Sequence, residues 1–417
     1  MPLAVNTRMF AARLYCGDRA MVKGPHRTFI PFSPPFVGEE EIAEVVNSLH
    51  SDWITTGPKV KRFEEQFTRF TGAPAALAVS SATDAMLVAL AALGVGAGDE
   101  VITTPMTFCS TVHVIEHLGA RPVLVDVEPD TLNLDPELVQ RAVTPRTRAI
   151  MPVHLYGHPC EMDTLMGIAK QHNLFVLEDA AHALPAVYKG RMIGTIGTFT
   201  AFSFYATKNI TTGEGGMLTG TQEVIEQARL WSLHGMSRDA YDRYSAEGSW
   251  YYEVVVPGFK CNMTDIQASL GLQQLKKLPA FQERRREVVN IYNEAFLDMP
   301  ELQIPVERPG VESALHLYVL RLNLQHLTID RARFIEELKA RHIGTSVHFI
   351  PIHLHPYYRN KYGYKLEDFP IAFENYKRIV SLPLHPRLSD GDVGRIIEAT
   401  TEVVATFRKQ DSARPLL

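Results

Sequence analysis

Two residues of opposite charge, Asp179 and Lys208, carry the clearest chemical signal in the sequence. Asp179 directly follows the apolar run 174–178, and Lys208 stands four residues beyond the run 200–204. They lie 29 residues apart, room for one strand–loop–strand excursion, so both would emerge at the same edge of a sheet. Lys208 sits among apolar and small neighbours in Ser203-Phe204-Tyr205-Ala206-Thr207-Lys208. Desolvation in such a setting lowers the pKa of an amine and makes it nucleophilic. A carboxylate reaching the same cavity can hold a proton on a pyridine nitrogen. A Schiff-base lysine and an acid partner for the ring nitrogen are two requirements of pyridoxal phosphate chemistry. The pair is equally readable as a salt bridge or as two unrelated surface charges, and the residues alone leave both readings open.

Three further groups could serve the same site. Ser80, Ser81, Ala82 and Thr83 fall between a strand and a helix. Free N–H groups and the positive dipole end of a helix N-terminus suit a phosphate, although an ordinary N-cap has the same appearance. Ser203 could add a hydroxyl to that phosphate. Gly213, Gly215 and Gly216 permit a tight turn and close backbone approach just after Lys208, or simply a turn before a strand. His182, three residues past Asp179, could lie flat against a ring held by Asp179, or be a buried hydrogen-bonded histidine. The sets His154, His158, Cys160 and His348, His353, His355 lack the acidic or cysteine partners of a usual metal site, so no metal is expected. The glycines of 94–98 follow a helix and precede a strand, the reverse of a dinucleotide fingerprint; they read as a helix C-cap.

The elements that would position these groups form a β/α alternation beginning near residue 37. Strands are expected at 75–79, 100–104, 122–127, 149–154, 174–178, 200–204 and 216–219. Helices are expected at 83–93, 111–118, 136–142, 162–172 and 223–233. The strand runs are apolar on both faces, as in a sheet covered by helices on both sides. The fold class is therefore α/β: one large, mostly parallel, doubly wound seven-stranded sheet, with chemistry expected outside the carboxyl ends of its strands. Residues 264–299 read as long helices interrupted at Pro279. A smaller C-terminal α+β unit follows, with strands near 316–322 and 344–349 and a closing helix at 390–405. The expected division is an N-terminal extension at 1–28, a large domain at 29–295 and a small domain at 296–417.

Composition sets the outer limits. Of the 417 residues, 46% are apolar and 21% charged, which fits a folded protein rather than a disordered one. A net charge of −5 gives no basic excess for nucleic acid or an anionic membrane. No apolar run approaches the ~18 residues of a membrane span, and the start lacks a secretory h-region. Cys16, Cys109, Cys160 and Cys261 form no CxxC pair; they read as reduced thiols of a cytoplasmic protein. The basic stretch 1–28 reads as a solvated arm, with a transit peptide or a segment packed across a subunit interface as alternatives.

Taken together, Glu178-Asp179-Ala180-Ala181-His182-Ala183 and the stretch Phe202 to Gly216 resemble the nucleotide-sugar aminotransferases of the DegT/StrS family, fold-type-I pyridoxal phosphate enzymes. Further similarities are Trp53-Ile54-Thr55-Thr56-Gly57-Pro58, Ser81-Ala82-Thr83, Thr107-Phe108, Pro152-Val153-His154-Leu155-Tyr156-Gly157, Gly258-Phe259-Lys260-Cys261-Asn262-Met263-Thr264-Asp265 and Ser381-Leu382-Pro383-Leu384-His385-Pro386. They span about residues 29–405, in the family's order.

The resemblance implies that Lys208 forms the Schiff base and shuttles the proton, and that Asp179 keeps the pyridine nitrogen protonated. It places Phe108 on one ring face, His182 near the other, and Ala82, Thr83 and Ser203 on the phosphate. It also implies a homodimer with shared active sites, in which a residue of segment 258–262 reaches the partner's phosphate. The family's usual asparagine position holds Lys260 here, and Asn262 follows two places later. That departure, with His348-Phe349, resembles the subgroup of UDP-4-amino-4-deoxy-L-arabinose aminotransferases. Thr55, Gly57, Arg238, His348 and Phe349 are the implied sugar contacts. The implied reaction moves an amino group from L-glutamate to a nucleotide-linked keto sugar, of the 4-keto type, and releases 2-oxoglutarate. A branch of the family carries histidine at the Lys208 position and dehydrates its substrate; lysine favours transamination. A dehydratase that kept its lysine and a non-catalytic regulator that binds cofactor or sugar are the alternatives.

Overall fold

The computed structural model describes residues 28–237 and 251–409. Seven strands form the main sheet in the order β1-β9-β8-β5-β4-β2-β3. They are β1 (Ala75–Val79), β2 (Glu100–Thr103), β3 (Arg121–Leu124), β4 (Thr147–Ile150), β5 (Phe175–Asp179), β8 (Phe199–Ser203) and β9 (Gly216–Gly220); the short strands β6 (Val187–Tyr188), β7 (Arg191–Met192) and β11 (Val311–Glu312) form a small sheet of their own. The ladders β2–β3, β2–β4, β4–β5 and β5–β8 are parallel, and β9 alone runs antiparallel to both its neighbours. This is the mostly parallel sheet that the alternation of elements predicts.

The strands alternate between two apolar layers. On β1, Ala76 and Ala78 join one core with Phe63, Phe67, Leu165 and Leu272, while Ala75, Leu77 and Val79 join another with Met86, Val88, Leu90 and Ile115. Helices α2 (Pro58–Thr71), α5 (Pro136–Ala142), α6 (Met162–His172) and α8 (Asp265–Phe296) cover the first face. Helices α3 (Ala82–Ala92), α4 (Ser110–His117) and α7 (Gln222–Ser232) cover the second. The sheet is thus covered on both sides, which explains its mostly apolar strands, with Arg121 of the edge strand β3 and Arg148 of β4 as exposed exceptions.

Two expectations are corrected. Helix α8 runs unbroken through Pro279. Leu272, Leu275 and Leu278 pack into the main core before the proline, Phe281 is buried just after it with its ring stacked on Phe36, and Val288, Tyr292 and Phe296 anchor the second half in another core. Proline removes one helical hydrogen bond, but tertiary burial on both sides outweighs that loss. The expected strand at 344–349 is absent: only Ser346 pairs, with Ser381. Beyond it, the His348 carbonyl accepts the Tyr156 hydroxyl and its ring meets Ser381 Oγ, so the chain turns toward the main sheet instead of extending a ladder.

A second, three-stranded antiparallel sheet is built from β10 (Leu302–Gln303), β12 (Tyr318–Leu322) and β13 (Ile379–Leu382). Its core combines Leu320, Leu322, Val380 and Leu382 with Val288 and Tyr292 of α8 and with Ile396 and Val403 of the closing helix Asp390–Phe407. A separate apolar cluster joins Leu317, Val319 and Ile379 of this region to Met106, Leu124 and Leu155 of the main sheet's loops. That seam forms one wall of the site.

Candidate active site

A cavity of about 470 Å³ opens at the carboxyl ends of β5 and β8. Among the predicted residues, Ala82, Thr83, Phe108, Asp179, His182, Ser203, Lys208, His348 and Phe349 line it. Asp179 is the last residue of β5 and Ser203 the last of β8, so neighbouring parallel strands deliver their side chains to one edge.

Lys208 sits in a loop tied back to the sheet at several points. The Phe204 amide donates to the Gly215 carbonyl at 2.9 Å, and the Thr212 amide and Thr211 hydroxyl both reach the Phe204 carbonyl at 3.0 Å. Ile210 is fully buried beneath. These ties hold the lysine stem while its amine lies deep within the cavity. Burial lowers its pKa to about 8, and the Asp179 charge opposes that fall. Asp179 is buried in turn, which raises its pKa. Hydrogen bonds from the Thr111 hydroxyl (2.8 Å) and the Ala181 amide (3.1 Å), with the Lys208 charge, act in the opposite direction. The two carboxylate oxygens are thereby fixed, one by a helix residue and one by the turn after β5. Thr111 gave no local signal in the sequence; it meets Asp179 only because α4 starts at the same sheet edge.

The phosphate-like cradle differs in detail from its sequence reading. Ser81 caps α3, its Oγ accepting from the Asp84 amide at 3.0 Å, and the hydroxyls of Ser80 and Ser81 both donate to the Asp84 carboxylate. The serine hydroxyls are thus spent inside the turn. The amides of Ala82 and Thr83, which have no acceptor within the helix, and the Thr83 side chain are what remain for an anion. Gly216 shapes this turn: a Cβ there would fall 2.5 Å from the Ser81 carbonyl carbon and oxygen and 2.7 Å from the Ala82 nitrogen. We expect Gly216→Ala to push α3 away from β9, destabilising the fold by about 1–3 kcal/mol. Thermal melting would report this, together with weakened retention of a phosphate-bearing cofactor.

Aromatic rings close the opposite side. Phe108 is exposed toward the opening, with its ring 6.0 Å from that of Phe349. Phe32 stacks on His348 at 5.4 Å, and Phe349 stacks on His182 at 5.7 Å. His182 and His316 are held neutral by burial, and His348 is lowered to about 4 for the same reason. His316 was not foreseen; it reaches the cavity from the start of the small sheet, more than a hundred residues beyond Lys208.

The remaining predicted residues lie elsewhere. Thr55 and Gly57 precede α2, where Gly57 packs on Trp53 and the Thr55 carbonyl accepts the Asp265 amide at 2.9 Å. Exposed Lys260 donates to Asn262 Oδ1, and Asn262 Nδ2 donates to Thr56 Oγ1 at 2.6 Å. None of these four lines this chain's own cavity. Arg238 lies outside the described residues. Among the described residues, no group of three or more His, Cys, Asp or Glu could hold a metal ion. No helix among them is long and apolar enough to cross a membrane.

A buried amine of depressed pKa, a buried carboxylate and a free helix N-terminus at one edge of such a sheet define a fold-type-I pyridoxal phosphate enzyme. Residues 35–401 match the DegT/DnrJ/EryC1/StrS aminotransferase family, and the chain belongs to it: this is a pyridoxal phosphate-dependent aminotransferase. It is 53% identical over 378 residues to the spore coat polysaccharide biosynthesis protein SpsC of Bacillus subtilis, covering 90% of this chain and 97% of that protein. Spr1654 of Streptococcus pneumoniae, designated a sugar aminotransferase, superimposes in its PMP form with a TM-score of 0.85 at 39% identity, covering 90% of this chain and 99% of that one. Its PLP form gives 0.84. PseC of Helicobacter pylori, an aminotransferase involved in pseudoaminic acid biosynthesis, gives 0.84 at 29% identity, covering 91% and 100%.

Proposed function

We propose that this aminotransferase moves an amino group from L-glutamate to the keto carbon of a nucleotide-linked sugar, giving an amino sugar and 2-oxoglutarate. The observation that carries the reading is the convergence of Lys208, Asp179 and the α3 N-terminus on one cavity. The sugar is suggested by relatives whose names tie them to sugars and polysaccharide.

When bound, pyridoxal phosphate supplies an electron-withdrawing ring that accepts the electron pair released at the donor's α-carbon. The chain's own residues do the rest. Ala82, Thr83 and Ser203 would hold the phosphate. Asp179 would hold the proton of the ring nitrogen, and Phe108 and His182 would flank the ring. Lys208, with its pKa near 8, is neutral often enough to attack a carbonyl and to take the donor's α-proton at Nζ. It then returns a proton from the same atom, acting as base and acid in turn. The aromatic and histidine wall of His348 and Phe349 would meet the sugar; Thr55 and Gly57, which do not line this chain's own cavity, would do so only across a shared dimer site; Arg238 would meet an anionic group of the substrate.

The working unit in this reading is a homodimer with shared sites, in a cytoplasmic setting. Ile42, Val46 and Leu49 form an exposed apolar stripe on α1 (Glu39–Leu49), and Ile54 is exposed beyond it, a face suited to a second copy. Lys260 or Asn262, neither of which lines its own cavity, would reach the partner's phosphate on giving up the bond between them. A 4-keto position is favoured by the Lys260 and His348-Phe349 pattern.

The test is the absorption spectrum of the cofactor-loaded protein before and after L-glutamate. The reading requires loss of the lysine-bound band and appearance of pyridoxamine phosphate, which a panel of nucleotide 4-keto sugars then reverses. A band indifferent to glutamate would remove that donor. Dehydrated sugar without amino transfer would reassign the reaction. No band in the native protein would overturn the cofactor role of this cavity.

A further inference from the structure

Three histidines from distant parts of the chain, His182, His316 and His348, line the cavity of Lys208. A single residue ties them together. The Tyr156 amide donates to His182 Nδ1 at 3.3 Å, its carbonyl accepts the His316 amide at 3.1 Å, and its hydroxyl donates to the His348 carbonyl. Tyr156 has φ 60°, a left-handed conformation disfavoured for any residue with a Cβ. That turn is what aims its N–H and C=O at two different histidines.

These bonds also fix where the hydrogens sit. His182 Nδ1 accepts from Tyr156, so its hydrogen is on Nε2. His316 is the reverse. Its Nδ1 faces Asn209 Oδ1 at 3.1 Å, and Asn209 cannot turn over, because its Nδ2 donates to the Ala314 carbonyl at 2.7 Å. Nδ1 of His316 therefore carries the hydrogen. The two rings lie 4.5 Å apart at 38°, and Asn209 directly follows Lys208 in the chain. His316 is thus held at its backbone by Tyr156, at its ring by the residue next to Lys208, and against His182 by ring contact.

We propose that His316 is a positioning residue: anchored by Asn209 and Tyr156, its ring holds His182 in place as a neutral N–H donor in the cofactor cavity. The inference rests on reading this cavity as the pyridoxal phosphate site. It assigns no proton transfer to His316. Its effect passes through His182, so the two residues must be energetically coupled.

A double-mutant cycle on the full-length apoprotein measures that coupling directly. Pyridoxal phosphate is titrated into the native protein, His316→Ala, His182→Ala and the double variant, with melting curves as the folding control. His316→Ala should raise Kd about tenfold in the native background and less than about twofold once His182 is already alanine. In the glutamate half-reaction, His316→Ala should lower the limiting rate while leaving the apparent KM within about twofold. Equal weakening in both backgrounds overturns the proposal, because His316 would then act independently of His182. If His316→Ala does not fold, His316→Asn keeps a donor toward Asn209, removes the ring and runs the same cycle with the same expected coupling. A native protein that takes up no pyridoxal phosphate would sink the reading of the cavity itself, whereas uptake with additive variants sinks only the role of His316.

Discussion

Lys208→Ala is expected to lower amino transfer by at least about 10³-fold, since one atom supplies both the nucleophile and the acid–base function. Lys208 is the only lysine among the described residues that line the cavity, so no neighbour there can take over. The substitution should leave the fold intact. Asp179 keeps its hydrogen bonds from Thr111 and Ala181, and the loop keeps its ties through Phe204 and Gly215. What changes is the charge balance. Lys208 lowers the pKa of Asp179, so its loss lets the carboxyl rise further toward its neutral form. The measurement is a single-turnover glutamate reaction followed by absorbance, with cofactor binding followed separately. Retained noncovalent binding with lost turnover is the expected pattern; turnover within about tenfold of the native protein would remove Lys208 from the reaction.

The parts of this site that were legible in the sequence are those set by local text. Asp179 and Lys208 could be found because each follows an apolar strand, and adjacent parallel strands must release their side chains at one edge. Ala82 and Thr83 were legible because a strand followed by small residues and a helix marks an N-terminus. Tyr156 and Asn209 lie in stretches that carry the family resemblance, but local text assigns no role to them, to Thr111 or to His316; their roles arise from contacts across long sequence separations. Tyr156 is the sharpest case, since its left-handed turn is imposed by three partners on other elements. The expected break at Pro279 failed for a related reason. Local propensity argued for a stop, while burial of Leu275, Leu278 and Phe281 around the proline held the helix together. The segment 344–349 misled in the same way: its composition suits a strand, but Tyr156 and Ser381 draw His348 out of any ladder.

Asp179→Asn separates charge from shape. Asparagine matches aspartate in size. Its oxygen can accept the Ala181 amide, and its NH₂ can donate to Thr111 Oγ1, because Thr111 can turn its own hydrogen toward Thr107 Oγ1, 2.7 Å away. The fold and the cavity should therefore survive, and only the buried negative charge is lost. Two effects of opposite appearance follow. Without a carboxylate to hold the ring-nitrogen proton, turnover should fall on the order of 10²–10³-fold, the scale of losing one preorganised electrostatic partner. The Lys208 amine should meanwhile become easier to deprotonate. Asp179 raises the lysine's pKa against the lowering effect of burial, so removing the charge must carry the midpoint below its native value of about 8. Uptake of pyridoxal phosphate by the apoprotein, measured against pH, rises as Lys208 loses its proton; its midpoint should move to lower pH in the variant. A purely structural Asp179 would affect neither quantity once the fold is preserved. A general disruption of the cavity would slow turnover without moving the midpoint in that direction. Slower turnover combined with a more acidic lysine is a signature that only a charge beside both the ring nitrogen and Lys208 can produce.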